Sequence, residues 1–223
     1  MSKLIFVVGP NGSGKSTIIV DFLLSPEIEY VCPDDFFKQI VFEGTIEEKY
    51  KIAMEQCKEY RYQAVEQGKN LIVETVGSTQ GKIDFVKFAR SKGYYIQSII
   101  ITTRSPEINL RRIAKRVKEG GHDVPPEKVI SRYYRMMNML HTYIDLSHNV
   151  AVLDNSIDEQ YPKHILIKIN NDMGNILLYS DNLPEWVDKY IIGKVEIEKS
   201  LNTEESEIFL RKYSDEIACA RSI

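Results

Sequence analysis

The sequence predicts an α/β protein with a parallel sheet that is covered by helices on both faces. Short apolar runs alternate with longer segments of helical periodicity from the start of the chain to about residue 154, which is typical of βαβ units. A glycine-rich loop lies between the first apolar run and the first helical segment. These features predict five parallel strands flanked by helices, followed by a small C-terminal β-hairpin and a helical tail.

The glycine-rich loop matches the phosphate-binding pattern G-x-x-x-x-G-K-[ST] at every defined position. The apolar run Leu4–Val8 precedes it as a buried strand, and residues 17–24 follow it as the opening turns of a helix. In such a loop backbone N–H groups bind phosphate, the lysine reaches the β- and γ-phosphates, and the next hydroxyl binds Mg²⁺. The loop therefore predicts a P-loop NTPase fold with ATP and Mg²⁺ as cofactors. The expected nucleotide contacts are Gly9, Pro10, Asn11, Gly12, Ser13, Gly14, Lys15, Ser16 and Thr17, with Ser16 also on the metal.

The four later strands are short and rich in apolar or β-branched residues. Each ends in polar residues or in proline, which is where a parallel sheet presents its carboxyl edge. They are predicted at 28–32, 71–73, 95–102 and 150–153.

The intervening helices follow from apolar residues spaced three and four apart and from glycine or proline at their ends. The first of them steps through Ile46, Tyr50, Ala53 and Cys57 and stops near Gly68. The helices are predicted at 45–68, 82–92, 106–118 and 126–146.

The pattern changes after the fifth strand. Residues 165–169 and 176–179 flank the polar segment 170–175, which predicts a hairpin. A short helix opens at 183–187 with Trp186 as a packing anchor, and a further helix is capped by Asn202 and Glu205. We divide the chain into a core at 1–160, a hairpin and short helix at 161–193, and a charged tail at 194–223. Apolar residues of the tail either dock on the core or meet a protein partner.

The chain has 223 residues, 43% of them hydrophobic, and a formal net charge of −3. That length is sufficient for one full core with a small appendage. A net negative charge does not indicate binding to nucleic acid or to an anionic membrane. No apolar run is long enough to span a bilayer. The three cysteines form no C-x-x-C pair, and the first strand begins without a preceding signal segment. We expect a cytoplasmic protein without a nucleic-acid or membrane partner.

Two aspartates follow the second strand. Phosphoryl transfer needs a carboxylate to accept the proton of the attacking hydroxyl, and Asp35 is the candidate for that base. Asp34 is then the candidate that helps to hold hydrated Mg²⁺. The alternative is that the pair caps the next helix, since aspartate is favoured at helix N-termini.

Polar residues also follow the third and fifth strands. Glu74, with Thr75 and Ser78 beside it, is placed to bind substrate hydroxyls or metal-bound water. The alternative for Glu74 is a structural ion pair with a lysine. Asn155, after the fifth strand, is expected to contact the nucleotide.

Basic residues occur on the helix after the fourth strand. Arg112 and Arg116 are four apart and share one face, from which they can fold over the γ-phosphate as catalytic residues. The alternative is a solvated basic face.

The segment 120–125 is flexible at one end and stiff at the other, which suits a lid, although a plain connection explains it almost as well. His122 is the one histidine placed as a site member.

These stretches together resemble the zeta toxin family of P-loop kinases, in particular its chromosomal zeta-like branch. The resemblance implies a sheet ordered 2-3-1-4-5, ATP-dependent phosphorylation of a sugar hydroxyl of UDP-N-acetylglucosamine, and an antitoxin-like protein as a partner. It implies Lys15 on the phosphates, Asp35 as general base, Glu74 on the sugar, and a catalytic arginine at Arg116 or Arg112. The stretches that carry it are Gly9–Thr17, 33–36, 74–75, 120–125, 154–156 and, as a weaker match, 183–186.

The leading hypothesis is an ATP- and Mg²⁺-dependent kinase that phosphorylates a hydroxyl of a small molecule, such as a nucleotide sugar. A second hypothesis is a nucleotide-dependent ATPase or switch that acts through a protein partner. A third is a polynucleotide 5′-hydroxyl kinase, which the acidic charge balance disfavours.

Overall fold

A computed structural model describes residues 1–121, 123–169, 174–178 and 183–214. The strands are β1 (Lys3–Val8), β2 (Glu29–Val31), β3 (Leu71–Thr75), β4 (Tyr95–Thr102), β5 (Asn149–Asp154), β6 (Lys163–Lys168), β7 (Asn175–Leu178) and β8 (Lys199–Leu201). The helices are α1 (Lys15–Ile18), α2 (Pro33–Gln39), α3 (Ile46–Glu66), α4 (Gln80–Ser91), α5 (Pro106–Lys118), α6 (Pro126–Leu146), α7 (Glu185–Tyr190) and α8 (Thr203–Lys212). Helix α1 continues into a π-helical segment over Ile19–Leu23.

The strands form one sheet in the order β2-β3-β1-β4-β5-β6-β7-β8. The first five strands are parallel and lie in the order that the resemblance implies. Strand β6 then pairs antiparallel with β5, β7 pairs antiparallel with β6, and β8 runs parallel to β7. The α/β P-loop architecture predicted from the sequence is therefore present, in a larger sheet.

The prediction of a five-stranded sheet was wrong in extent. The predicted hairpin exists as β6 and β7, but it continues the sheet. Strand β5 is buried along its whole length, so an unpaired outer edge would leave buried backbone groups without hydrogen bonds. Strand β6 pairs with that edge from Val150 opposite Lys168 to Asp154 opposite Lys163. The predicted turn of the hairpin at 170–173 lies outside the described residues.

The two faces of the sheet are covered by different helices because side chains alternate along each strand. In β1, Leu4 and Phe6 point to the face that α3, α4, α6 and α7 cover, whereas Ile5 and Val7 point to the face covered by α1. Trp186 is buried in the first of these cores, as predicted.

The tail packs on the second core. Helix α8 begins at the predicted cap, where Asn202 and Glu205 bond to each other's backbone N–H groups. Phe209 and Tyr213 lie against the α1 side of the sheet. The sequence left open whether these side chains dock on the core or meet a protein partner, and in the structure they dock on the core. The remainder of the tail, at 215–223, lies outside the described residues.

Two elements were missed. Helix α2 has proline at its first position and two acidic residues in its first turn, and both features are typical of a helix start. The helix has only seven residues, which is too short to show helical periodicity in the sequence. Strand β8 has three residues and no periodic pattern. In the ranges that the structure describes, no helix has both the length and the apolar character required to cross a bilayer.

The division of the chain at residue 160 remains a prediction, and it can be tested through β6. Replacing Ile167, which is fully buried, with alanine should destabilise the protein by about 2–5 kcal/mol through lost burial and a cavity. Because β6 belongs to the main sheet, we expect one cooperative transition in chemical denaturation, shifted as a whole. Ile208→Ala on α8, where the side chain is 61% exposed, is the matched control and should change stability by less than about 0.5 kcal/mol. Separate unfolding of a C-terminal unit would contradict a continuous core.

Candidate nucleotide-binding site

A cavity of about 610 Å³ lies at the carboxyl ends of β1, β2 and β3. Its wall is formed by the loop between β1 and α1, the start of α2, the segment after β3, and side chains of α3, α4, α5 and α6. The volume lies within the range of small-molecule sites. Its position agrees with the rule that ligands of open α/β sheets bind beyond the carboxyl ends of the strands.

The loop is held in place from both sides. The Gly9 amide donates to the Thr75 carbonyl oxygen of β3 at 3.2 Å. On the other side, the Asn155 side-chain amide donates to the Ser13 carbonyl oxygen at 2.8 Å. Gly14 has a φ of +95°, and a Cβ there would lie 2.4 Å from the Asn155 side chain, so only glycine fits. Asn155 therefore braces the loop, and its predicted contact with the nucleotide remains a prediction.

Lys15 is buried at the start of α1. Its Nζ donates to the Pro10 carbonyl oxygen at 3.0 Å and lies 3.9 Å from Glu74 Oε1. Burial lowers the pKa of Lys15, and the Arg116 charge lowers it further, while Glu74 and Asp34 act in the opposite direction. A phosphate in the cavity would supply this ammonium group with a full counter-charge.

Glu74 lies between Ser16 and Tyr30. The Ser16 hydroxyl donates to the two carboxylate oxygens at 3.0 and 3.1 Å, and the Tyr30 hydroxyl donates at 2.5 Å. Burial and the Glu74 charge raise the pKa of Tyr30 well above its ordinary value, so Tyr30 remains a donor. The lysine partner foreseen for Glu74 is Lys15 of the phosphate-binding loop, which places Glu74 inside the cavity.

The oxygen atoms at this point suit Mg²⁺. A hydroxyl and carboxylates are hard ligands, and Mg²⁺ commonly keeps water and substrate phosphate oxygens in the rest of its shell. Ser16 and Glu74 lie within hydrogen-bond distance of each other, and Asp34 lines the same cavity. The described residues contain no cluster of three His, Cys, Asp or Glu side chains that could hold a metal alone. The residues present therefore fit a magnesium ion that is bound together with a phosphate.

The two aspartates of α2 point to different places. Asp34 lines the cavity and accepts a hydrogen bond from Tyr50 at 3.1 Å. Asp35 is not among the residues that line the cavity, and its carboxylate accepts from Lys38 at 3.1 Å and from the Cys32 thiol at 3.2 Å. Burial acts to raise the pKa of Asp35, but these two bonds outweigh it and the pKa is lowered.

The alternative role of the aspartate pair as helix caps is not what the structure shows. Cys32 occupies the N-cap position of α2, and no side chain forms a cap hydrogen bond there. Both aspartates lie in the first helical turn, where negative charge is favourable near the positive end of the helix.

Arginines line the opposite wall. The predicted pair on α5, Arg112 and Arg116, both face the cavity. Arg112 forms an ion pair with Asp158 at 2.7 Å and reaches the Gly12 carbonyl oxygen at 3.5 Å. Arg132 of α6 also lines the cavity, with its Nη1 3.5 Å from Asn11 Oδ1. The pair is therefore part of the cavity wall and not a solvated face.

Thr75 and Ser78 also line the cavity, and Thr75 Oγ1 accepts from the Gly77 amide at 3.4 Å. Several lining residues were not predicted, because they come from distant helices and strands and form no linear motif. These are Tyr50, Lys82 and Arg132. His122, foreseen as a site member, lies outside the described residues, so the lid at 120–125 remains a prediction.

The strand order, the loop between β1 and α1, and the cavity above it define a P-loop nucleotide-binding protein with a kinase-like fold. A sequence profile of the AAA domain family matches residues 4–139, which is more than half of the chain. The chain belongs to this family. An uncharacterised protein of Haemophilus influenzae is 30% identical to it over 132 residues, which make up 59% of this chain and 93% of that protein.

Structures of the AvrRxo1-ORF1:-ORF2 complex share the fold. A chain of the AvrRxo1-ORF1:-ORF2 structure with ATP aligns with 76% of this chain at a TM-score of 0.61 and 15% identity, and the alignment covers 59% of that chain's length. The native AvrRxo1-ORF1:-ORF2 complex aligns with 100% of this chain and 81% of that chain, with a TM-score of 0.57 and 17% identity. A structure of the PezAT toxin–antitoxin system of Streptococcus pneumoniae aligns over 70% and 68%, with a TM-score of 0.49 and 18% identity.

Because Asn155 braces the loop, replacing it should weaken the binding of MgATP. Asn155→Asp puts a carboxylate against the Ser13 carbonyl oxygen and adds negative charge beside the phosphate loop, so MgATP affinity should fall about tenfold or more. Isothermal titration calorimetry measures this change. Asn202→Asp makes the same substitution at the α8 N-cap, where aspartate caps equally well, and should bind as the wild type does. Unchanged affinity in Asn155→Asp would show that the brace does not shape the loop.

Proposed function

We propose that this protein is an ATP- and Mg²⁺-dependent kinase that transfers the γ-phosphate to a hydroxyl group of a small molecule. A nucleotide sugar such as UDP-N-acetylglucosamine is the first acceptor to test. The observation that supports this most directly is that one cavity is lined by the loop lysine, an acid at the end of β3, an acid on α2 and arginines from α5 and α6. These are the charges that phosphoryl transfer requires.

In this proposal Lys15 and the backbone of the loop bind the triphosphate. Ser16 and Glu74 hold Mg²⁺, which neutralises the phosphate charge when it is bound. Arg112 and Arg116 approach from α5 and stabilise the negative charge that is redistributed during transfer. Thr75 and Ser78 line the same cavity and, in this proposal, supply hydroxyl groups for polar contacts with the acceptor.

Asp34 is the general base of this proposal, in place of Asp35, because Asp34 is the one that lines the cavity. Its carboxylate takes the proton of the acceptor hydroxyl while that oxygen bonds to the γ-phosphorus. The bond from the γ-phosphorus to its bridging oxygen breaks at the same time, and ADP leaves. Asp35 has a separate role in this scheme, as the partner of Lys38 and Cys32 at the start of α2.

The two aspartates form a matched pair of variants. Asp34→Asn should lower kcat about 100-fold or more, because a positioned base typically contributes that much, and MgATP binding should persist. Asp35→Asn should lower kcat less than about tenfold, because it weakens only the exposed ion pair with Lys38 and the hydrogen bond from the Cys32 thiol. Coupled detection of ADP release in the presence of the acceptor measures both. A larger loss of kcat in Asp35→Asn than in Asp34→Asn would instead assign the role of general base to Asp35.

The function as a whole is tested by ATP binding and by acceptor dependence. MgATP should bind to the wild type, and Lys15→Met should abolish detectable binding because it removes the buried cation of the loop. ADP release should rise when UDP-N-acetylglucosamine or another hydroxyl acceptor is added. Absence of MgATP binding in the wild-type protein would overturn the proposal.

A partner-dependent ATPase is the second candidate. The connection between α2 and α3 and the start of α3 leave apolar side chains in solvent, with Val41 fully exposed and Ile46 76% exposed. This surface favours a protein partner, such as an antitoxin-like protein. ADP release that is independent of every acceptor and changes with a partner would support this alternative. A polynucleotide kinase stays the least favoured candidate because the net charge is −3.

A further inference from the structure

Arg61 on α3 is a buried arginine that has no counter-ion among the described residues. Its side chain is 2% exposed, and its Nε has no hydrogen-bond partner among the residues that the structure describes. The guanidinium group lies 5.2 Å from the centre of the Phe85 ring, which is a weak substitute for an anion. A buried charge without a partner destabilises a fold by several kcal/mol. Arg61 is therefore costly to stability unless an anion is supplied from outside the chain.

Lys82 lies beside Arg61 and lines the cavity. It is the third residue of α4, and no described carboxylate comes within ion-pair distance of either side chain. Burial, and then the neighbouring Arg61 charge, lower the pKa of Lys82 to about 8. Lys82 thus places one cation in the cavity wall, and the charge of Arg61, which does not itself line the cavity, lies close enough to act on it.

The start of α4 adds to this positive character. Its N-cap residue, Thr79, makes no side-chain cap hydrogen bond, and the first turn contains no acidic residue. The helix has twelve residues, so its N-terminus carries partial positive charge. Ser78 and Thr79 line the cavity next to Lys82 and provide hydroxyl groups.

This end of the cavity is distinct from the triphosphate loop. Helix α4 follows β3, which lies on one side of β1 in the sheet, whereas Asn155 follows β5 and braces the loop from the other side. An anion bound by Lys82 therefore lies across the loop from the Asn155 side. In the proposed kinase, the β2–β3 side also holds Asp34 and is the side of the acceptor.

We infer that Lys82 and the N-terminus of α4, reinforced by the neighbouring charge of Arg61, form an anion subsite, and that the acceptor alcohol carries a phosphate or carboxylate group which binds there. The inference rests on the proposed kinase function and narrows its substrate class to anionic alcohols. The subsite anchors the acceptor by its negative group, and the hydroxyl is then presented to Asp34 and the γ-phosphate.

The test follows the reactivity of the Lys82 amine. Wild-type protein is saturated with a non-hydrolysable ATP analogue and Mg²⁺, so that the loop is filled. Trace acetylation by acetic anhydride is then measured by peptide mass spectrometry at increasing concentrations of inorganic phosphate and, separately, of malonate. We expect one of these anions to slow acetylation of Lys82 about tenfold at saturation, because an ion-paired ammonium group is not nucleophilic. Lys87, which is exposed on the same helix, is the internal control and should react equally throughout.

The two anions distinguish a phosphate-bearing from a carboxylate-bearing acceptor. Arg61→Met should weaken protection by the effective anion about tenfold, since it removes one of the two cations. No protection of Lys82 by either anion, with the analogue bound, overturns the subsite and leaves the kinase proposal intact. Failure of the analogue to bind would instead count against the kinase proposal itself.

Thermal unfolding separates a ligand role from a structural one. Because Arg61 is buried and unpaired, Arg61→Met should unfold at the same temperature as the wild type or higher. Lys82→Met should behave in the same way and should also lose anion-dependent stabilisation. A clear fall in the unfolding temperature of both variants, with no change in anion-dependent stabilisation, would assign these cations to the core.

The pH dependence supplies a further check. The charges that act on Lys82 all come from α3: Arg61 and Lys58 lower its pKa, while Cys57 and Glu55 raise it. Anion binding requires protonated Lys82, so protection should weaken as the pH rises through about 8. In Lys82→Met, anion-dependent stabilisation of the fold should be absent at every pH. Wild-type protection that strengthens with pH would contradict the role of Lys82.

Discussion

The candidate site depends on how the loop after β1 is tied to its neighbours. Among the hydrogen bonds that hold it, one runs from the Gly9 amide to β3 and one from the Asn155 side chain to the Ser13 carbonyl oxygen. Because these bonds reach across the sheet, the loop keeps its shape only while the parallel strands keep their order. The same order brings Glu74 of β3 next to Ser16 of α1. The phosphate-binding geometry is thus a property of the sheet as much as of the motif.

The cavity concentrates positive charge in a chain that is acidic overall. Lysine and arginine side chains enter it from the loop, α4, α5 and α6, whereas the chain carries a formal net charge of −3. Glu74 and Asp34 offset part of this charge, and Asp158 pairs with Arg112. The remaining excess matches ligands with several negative charges, because buried cations require counter-charges. Electrostatics therefore favour anionic ligands on both sides of the loop.

Much of the fold followed from local patterns. The alternation of apolar runs and helical periodicity located β1 to β5 and the main helices, and the motif at Gly9–Thr17 located the nucleotide loop. The extension of the sheet was not predictable in this way, since pairing between β5 and β6 is a long-range choice decided by the buried edge of β5. Strand β8 is too short to produce a periodic signal.

The site was predicted less completely than the fold. Glu74, Arg112 and Arg116 could be placed because they follow strands or share a helix face. The difference between Asp34 and Asp35 could not, because adjacent residues in a helical turn diverge by about 100° and local sequence does not say which one faces the ligand. Lys82 and Arg61 become neighbours only through the packing of α3 against α4.

The two margins of the sheet are β2 and β8, each of three residues. A visiting strand could form only a few main-chain bonds at either margin, which is too short a template for stable strand addition. Strand addition at these two edges is therefore a disfavoured way for another protein to bind. The short margins also protect the protein from polymerising through its own sheet.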